Sequence, residues 1–468
     1  MRLILLFLLP IIGLTKVESK TNPPNVIIIF ADDLGYGDLK CFGGAKGYQT
    51  PSLDKMAAEG MKFTDFSVSN PICTPSRAAL LTGRYPHRWG YKGGVFFPRD
   101  TKGMPQSEET IAEMLKAKGY KTAAVGKWHL GHKPEFLPTS QGFDEYFGIP
   151  YSNDMWHDGD APIHKDAKIL EGYTIEDYKS YTKDQMTKEN IKKYRDKVPL
   201  VEGEQVIEWP VDQTQLTKRY TDRAISFIQK NKKKPFFLYM AHTMPHTPLF
   251  ASEQFKGKTE RGLYGDVVEE IDWSVGQVLQ AIKKAGIEKN TLVVFTSDNG
   301  PWLVKKQNGG SAGDLRGGKM TTFEGGVRVP CIAQWKGMIP EGKVCKQHIA
   351  SMDLLPTIAT LAGVSLPNDR AIDGIDVSHI LKGNFNQDTG REFYLIAFNN
   401  RDMSIRVGDW KYRKGTPTNI PNKKLDLEIQ LFNLKDDPNE RNNLADQYPN
   451  KVKEMAALLD EKFAEIKQ

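Results

Sequence analysis

Val26-Ile27-Ile28-Ile29-Phe30-Ala31-Asp32-Asp33 runs a continuous apolar stretch straight into two carboxylates. Such a run reads as a strand buried on both faces, the kind found in parallel sheets. The same shape recurs along the chain. Lys121–Val125 leads into Lys127-Trp128-His129, Phe236–Met240 leads to His242, and Thr291–Thr296 leads into Ser297-Asp298-Asn299-Gly300. Val329–Trp335 reads as a further strand. Helical patterns lie between them. One opens at Thr50-Pro51, with Thr as cap and Pro at the first position, and runs to about Met61. Another opens at Ser107-Glu108-Glu109 and ends at Lys118 before Gly119; Thr214–Lys230 and Tyr264–Lys284 follow. This alternation predicts an α/β fold with a large, mostly parallel mixed sheet flanked by helices. In such sheets, ligand groups gather at the carboxyl ends of the strands. The polar residues of this chain fall there.

Working outward, the pattern changes near residue 386. Phe393–Phe398, Ser404–Tyr412 and Gln430–Leu434 read as antiparallel strands, and Asn450–Ile466 as a closing amphipathic helix. A large domain over 20–385 and a smaller C-terminal α+β subdomain over 386–468 are expected. Tyr151–Pro210 is polar, with weak periodicity, and reads as an insertion near the mouth of the site. The 468 residues, 39% hydrophobic, can bury a large core, which excludes disorder and multi-span membrane architectures for the whole chain. The net charge of +6 carries no dense Lys/Arg stripe with interleaved aromatics, so nucleic acid is not an expected partner. Lys232-Lys233-Lys234 reads as a solvated turn.

Residues 1–19 read as a secretory signal: Arg2, an apolar run from Leu3 to Leu14, then small residues around Ser19. No second long apolar run follows, so an exported protein without stable membrane insertion is expected. It would be periplasmic or secreted, or lysosomal in a eukaryote. Four cysteines are too few for a disulfide framework, although export would permit Cys331 and Cys345 to pair.

Asp32-Asp33 and Asp298-Asn299 are two oxygen-rich clusters at strand ends. Carboxylates and amide oxygens suit a hard divalent cation such as Ca²⁺ or Mg²⁺. Each pair alone would also suit a turn or a helix cap. Lys127 and His129 point to the same side in extended geometry. His242 and His246 bracket a Pro-containing strand end, and Lys319 lies in Gly317-Gly318-Lys319, where glycine lets backbone approach a ligand. Trp128 and Trp302 read as packing residues.

Ser69-Asn70-Pro71-Ile72-Cys73-Thr74-Pro75-Ser76-Arg77-Ala78-Ala79-Leu80-Leu81-Thr82-Gly83-Arg84 places Cys73 just before a helix opened by Pro75. That position offers free N–H groups and the positive end of the helix dipole, which favour anions. Arg77 returns to the same face one turn later. A buried cysteine ahead of a capped helix and a reactive thiol both fit so far.

Cys73-Thr74-Pro75-Ser76-Arg77, with the trailing Leu81-Thr82-Gly83-Arg84, resembles the Cys-x-Pro-x-Arg signature of type I sulfatases in the alkaline phosphatase superfamily. Asn25–Gly37, Gly126–Gly131, Gly142–Ser152, Asp298–Gly300 and Gly317–Arg328 resemble that family's blocks in order, and Phe432–Ala445 its C-terminal segment. The resemblance therefore covers nearly all of the mature chain, and within the family the chain resembles arylsulfatase and N-acetylgalactosamine-sulfatase-like carbohydrate sulfatases. It implies an alkaline-phosphatase-like fold and a sulfuric ester hydrolase. It implies that Cys73 is oxidised by a formylglycine-generating maturation enzyme, and that one hydroxyl of the hydrated aldehyde attacks sulfur while the other later expels sulfate. It implies Ca²⁺ on Asp32, Asp33, residue 73, Asp298 and Asn299. Arg77 and Lys127 would position the formylglycine and stabilise its alkoxide, Lys127 would also bind substrate, and His129 would assist deprotonation. His242 and Lys319 would bind sulfate, with His242 as general acid, and Ser152 would hydrogen-bond a sulfate oxygen.

A sulfated carbohydrate is the expected substrate, with an aryl sulfate or sulfolipid as the alternative. Asn153, Asp154, Trp156 and His157, and Arg84, His87 and Arg88, are candidates for the leaving-group pocket. A phosphoesterase of the same superfamily, a non-catalytic sulfated-glycan binder and an enzyme using the unmodified Cys73 thiol are the rival readings.

Overall fold

The computed structural model describes residues 23–157, 161–180, 192–399, 401–417 and 425–467. The expected signal segment lies outside the described residues. Twelve strands precede residue 346: β1 (Asn25–Ala31), β2 (Met61–Phe63), β3 (Phe66–Ser67), β4 (Lys121–Gly126), β5 (Glu145–Gly148), β6 (Ile163–Ile169), β7 (Leu200–Glu202), β8 (Gln205–Trp209), β9 (Phe236–Ala241), β10 (Thr291–Ser297), β11 (Cys331–Gln334) and β12 (Lys343–Cys345). All but β3 form one eleven-stranded sheet in the order β12-β2-β11-β10-β1-β9-β4-β5-β7-β8-β6. Its centre, β10-β1-β9-β4-β5, is parallel throughout, while β11, β2 and β7 introduce antiparallel pairs. The sheet is thus mixed and mostly parallel, as expected.

Every residue of β1, β9 and β10 is buried, which follows from helices covering both faces. Pro51–Ala58, Leu216–Asn231 and Leu263–Lys284 pack together as one helix group; Cys73–Thr82, Ile111–Ala117 and Leu354–Ala362 form another. Register places the site. Ala31 pairs with Ser297, Phe30 with Ala241, and Gly126 with Ala241. The residues that follow, Asp32, Asp298, His242 and Lys127, therefore leave the sheet at one level.

The polar stretch Tyr151–Pro210 contains three strands. β7, β8 and β6 extend the main sheet beyond β5 and form its edge. The helix expected from Ser107 begins at Ile111, because Thr110 caps it and exchanges hydrogen bonds with Glu113 in a capping box. The first helix ends at Ala58, and Met61 already belongs to β2.

β13 (Ile349–Ala350) pairs with β3. The C-terminal sheet holds β14 (Tyr394–Asn399), β15 (Asp402–Val407), β16 (Trp410–Gly415) and β17 (Glu428–Asn433), antiparallel in that order, with the helix Pro449–Glu465 packed against it. The single strand expected over Ser404–Tyr412 is a hairpin, turned at Gly408, whose φ of 55° favours glycine.

Cys331 and Cys345 are free. Both sit opposite Phe63, on the two sides of β2. They are two strand spacings apart, about 10 Å, beyond the roughly 7 Å limit for a disulfide. Among the described residues, no helix is long and apolar enough to cross a membrane.

Candidate active site

Cys73 opens the helix Cys73–Thr82, every residue of which is buried. Ile72 precedes it in extended conformation and offers no side-chain cap, so the first N–H groups of the helix stay available. Pro75 lacks an N–H where none would be paired, and Gly83 ends the helix in the left-handed region. The expectation that Pro75 opens the helix shifts by two residues: Cys73 itself is the first helical residue.

Asp32, Asp33, Cys73 and Asp298 bring one ligand atom each within 4.8 Å of one another. Three buried cations hold these carboxylates. Lys127 Nζ lies 2.7 Å from Asp32 Oδ2. Arg77 donates from Nε and Nη2 to Asp298 Oδ2 at 3.0 and 2.7 Å, and from Nη1 to the Lys127 carbonyl at 3.2 Å. Lys319 Nζ lies 2.9 Å from Asp33 Oδ2 and 3.5 Å from Cys73 Sγ. Three carboxylates thus face three fixed cations.

Burial pushes the Asp32 carboxyl up, but Lys127, Arg77 and Lys319 outweigh it and hold Asp32 below the usual range. Burial, with Asp32 and Asp298 nearby, lifts Asp33 to about 6 against the pull of Lys319. Burial opposes the charge on Lys319, yet Asp33 and the neighbouring acids raise it, so it stays cationic. Burial also pushes the Cys73 thiol up, despite Lys127 and Lys319. A thiol so held is a poor thiolate nucleophile, which weighs against the unmodified-thiol reading.

The donor set fits a hard divalent cation. Asn299 donates from Nδ2 to Asp33 Oδ1 at 2.7 Å and to the Gly300 carbonyl at 2.9 Å, while its buried Oδ1 has no hydrogen-bond partner. That oxygen, with the carboxylates of Asp32, Asp33 and Asp298, supplies oxygen ligands of the type Ca²⁺ takes. The added positive charge would turn a balanced site into one that attracts an anion.

Ser152 Oγ lies 3.3 Å from Lys127 Nζ and 3.5 Å from His246 Nδ1. His129 sits at φ 62°, held by its N–H on the Pro150 carbonyl, with Nε2 3.1 Å from the Phe96 carbonyl. With Nε2 donating there, the buried and unpartnered Nδ1 carries the lone pair. Asp33 and Met320 are also left-handed, at φ 64° and 69°. Such conformations in non-glycine residues persist where surrounding contacts fix them.

The structure does not bring His242 into this group. Its backbone N–H still bonds the Phe30 carbonyl, but its ring turns to the helix layer, with Nε2 3.4 Å from Ser274 Oγ. Burial alone lowers it, to about 4, with no site charge acting on it. His246 is the histidine beside Asp33 and Cys73. Its Nδ1 lies 3.0 Å from Asn153 Oδ1, and its Nε2 lies 3.7 Å from Asp33 Oδ2. Burial and the charges of Lys319 and Lys127 keep its ring neutral. The strand-end pattern favoured the first histidine; the chain turn through Thr243–Pro245 presents the second.

Trp302 is also a site residue, not only packing: its ring lies 5.3 Å from that of His246 and 4.6 Å from Lys319 Nζ. Trp128 packs, edge-on to Phe143, with Nε1 on the Phe136 carbonyl. Asn153 enters through His246, and Trp156 stacks on Phe97. Arg84 and Arg88 are engaged by Glu108 and Asp373, His87 packs on Phe463, and His157 on Trp209.

The family model for sulfatases matches residues 24–364, and that for the N-sulphoglucosamine sulphohydrolase C-terminal region matches 318–468. The chain is 41% identical over 430 residues to the N-acetylgalactosamine-6-sulfatase of Mus musculus, covering 89% of this chain and 76% of that one. It is 41% identical over 408 residues to arylsulfatase A of Homo sapiens, covering 86% and 76%. The crystal structure of Ps i-CgsB in complex with k-i-k-neocarrahexaose superposes with a TM-score of 0.77 at 32% identity, covering 94% of this chain and 93% of that one.

Proposed function

The chain belongs to the sulfatase family and is a sulfuric ester hydrolase, and from that premise we propose that it removes sulfate from a sulfated carbohydrate, using a formylglycine made from Cys73 and a Ca²⁺ ion on Asp32, Asp33, Asp298 and Asn299. One observation carries this reading: Cys73 Sγ stands at a helix N-terminus within 4.8 Å of three carboxylate ligand atoms and 3.5 Å from Lys319 Nζ. The carbohydrate is favoured by the relatives, one named for an N-acetylgalactosamine 6-sulfate and one bound to a neocarrahexaose.

When present, formylglycine supplies the two hydroxyls of its hydrate, and Ca²⁺ supplies charge to polarise them and to neutralise the sulfate. The chain's own residues do the rest. Arg77 fixes Asp298, and Lys127 fixes Asp32, so the ligand carboxylates are preorganised. Lys319 keeps its charge and meets the sulfate group. Ser152 adds a hydroxyl donor. His129 Nδ1, buried and without a hydrogen-bond partner, would accept the proton released in the second step. His246 takes the place first expected of His242. With Nδ1 donating to Asn153, its Nε2 carries the lone pair before substrate binds; the negative charge of a bound sulfate ester would oppose the pull of Lys319 and Lys127, and the imidazolium so formed would donate from Nε2 to the sulfate or to the leaving oxygen.

The division into a catalytic domain over 20–385 and a C-terminal subdomain over 386–468 is part of this reading, as are export through residues 1–19 and activation by a maturation enzyme. Sulfate release from a panel tests the substrate class. The panel holds sulfated oligosaccharides, one aryl sulfate, one sulfolipid and one phosphomonoester. Release from an oligosaccharide is expected. Release only from the aryl sulfate or sulfolipid overturns the carbohydrate assignment.

A further inference from the structure

The C-terminal sheet grips three consecutive residues that follow Lys319. Thr322 is fully buried; its hydroxyl donates to Asp402 and accepts from Arg413 Nε at 3.0 Å. Phe323 lies under the Arg413 guanidinium, 3.7 Å from ring to carbon, and packs with Phe432 and Leu434 in a small apolar cluster of its own. Glu324 Oε1 lies 2.8 Å from Lys411 Nζ, and the same ammonium lies 2.9 Å from Glu440 Oε1. Asp402, Lys411 and Arg413 belong to β15 and β16 of the C-terminal sheet.

Arg413 is itself over-determined. Its remaining donors go to Asp402 Oδ2, the Thr416 carbonyl and Gln430 Oε1, each at 2.8 Å. The far side of the gripped segment meets the site. Lys319 N–H bonds the Pro301 carbonyl at 2.9 Å, and Met320 N–H bonds the Pro71 carbonyl at 2.8 Å, two residues before Cys73. Gly300, next to Asn299, donates its N–H to the Gly326 carbonyl at 2.9 Å; a Cβ on Gly300 would stand 1.8 Å from the Gly325 carbonyl oxygen. Position is thus passed from a rigid buried sheet to the loop of Lys319 through fully enclosed polar contacts, which are stiff because breaking one strands a buried charge.

We infer that Arg413 is a positioning residue for Lys319, acting through the Thr322 hydroxyl, so that the C-terminal sheet is part of the sulfate-binding apparatus. This rests on the reading of Lys319 as a sulfate ligand. Arg413 touches no substrate; it sets where the Lys319 ammonium stands, and ground-state and product anions should both report its loss.

The test uses the matured full-length enzyme and a substrate it hydrolyses, and reads KM, kcat, competitive inhibition by inorganic sulfate, and Tm. Thr322→Val is nearly isosteric and removes only the hydroxyl; Thr322→Ser restores it. Leu459→Ala, in the closing helix on the other side of the same sheet, is the stability control, and Lys319→Ala is the reference. Thr322→Val should raise KM and the sulfate inhibition constant together, by roughly fivefold or more, with a smaller change in kcat. Thr322→Ser should recover both, and Leu459→Ala should lower Tm without moving either. If Lys319→Ala raises both constants and Thr322→Val does not, the positioning role is overturned alone. If Lys319→Ala moves neither, the role of Lys319 falls and the positioning role falls with it.

Discussion

His246 Nε2 lies 3.7 Å from Asp33 Oδ2, while the ring of His242, four residues earlier, faces Ser274 in the helix layer. One histidine shares the carboxylate cluster and the other supports the sheet. His246→Ala should lower kcat/KM by about 100-fold or more, the scale of a lost proton donor or anion contact. His242→Gln should change kcat/KM by less than about threefold. Steady-state kinetics on both variants check this, and the reverse ranking would return His242 to the site.

Asp298 takes two hydrogen bonds from Arg77 on Oδ2 and accepts the Asp33 N–H on Oδ1. Added Ca²⁺ should raise Tm, by the equivalent of about 2.7 kcal/mol when the free ion stands at a hundred times its dissociation constant. Asp298→Ala should abolish that shift, and chelation should reduce wild-type activity reversibly. A calcium-dependent Tm shift of full size in Asp298→Ala would remove Asp298 from the ligand set.

Asp65 and Arg406 form a buried, two-pronged ion pair, at 2.9 and 2.7 Å, between the turn joining β2 to β3 and strand β15. Removing one partner leaves the other charge enclosed. Asp65→Ala should cost about 3–5 kcal/mol of unfolding free energy, read by urea denaturation. A loss under about 1 kcal/mol would mean that the pair behaves as a surface contact.

Asp38 is enclosed by Gly35 N–H, Ser311 N–H and the Tyr264 hydroxyl, and burial lifts its carboxyl to about 6. A raised folded value means that the native state binds the proton more tightly than the unfolded chain. Its contribution is full below about pH 4 and is lost as pH rises through about 6. The stability of the wild type relative to Asp38→Asn should therefore fall across that window, by about 3 kcal/mol, and stay flat above pH 7. A difference that does not change from pH 4 to 7 would show an unshifted carboxyl.

The centre of the fold was legible because its signals are local. Buried parallel strands leave continuous apolar runs, and the first polar residues after them, Asp32, Lys127 and Asp298, end level because the registers of β1, β4, β9 and β10 align. The edges were less legible. β6 takes polar sequence because it is the edge strand and faces water, while β7 and β8, three and five residues long, are too short to show a pattern. Gly408 inside an apparent strand marked the hairpin, a cue that apolar pattern alone overrides. His246 needed the path of the turn after β9, and the role of the C-terminal sheet needed side chains some ninety residues apart, Thr322 and Arg413, to be seen in contact. No periodicity encodes either.

Sulfate release by the matured enzyme and by Cys73→Ala, side by side with Ca²⁺ present, is the most direct measurement. A peptide mass at residue 73 reports whether the aldehyde was formed. The account predicts steady release from the wild type, an aldehyde at residue 73, and no release above background from Cys73→Ala in a protein of unchanged fold. Release from Cys73→Ala at the wild-type rate would contradict it, because the group placed at the helix N-terminus would then carry no part of the chemistry.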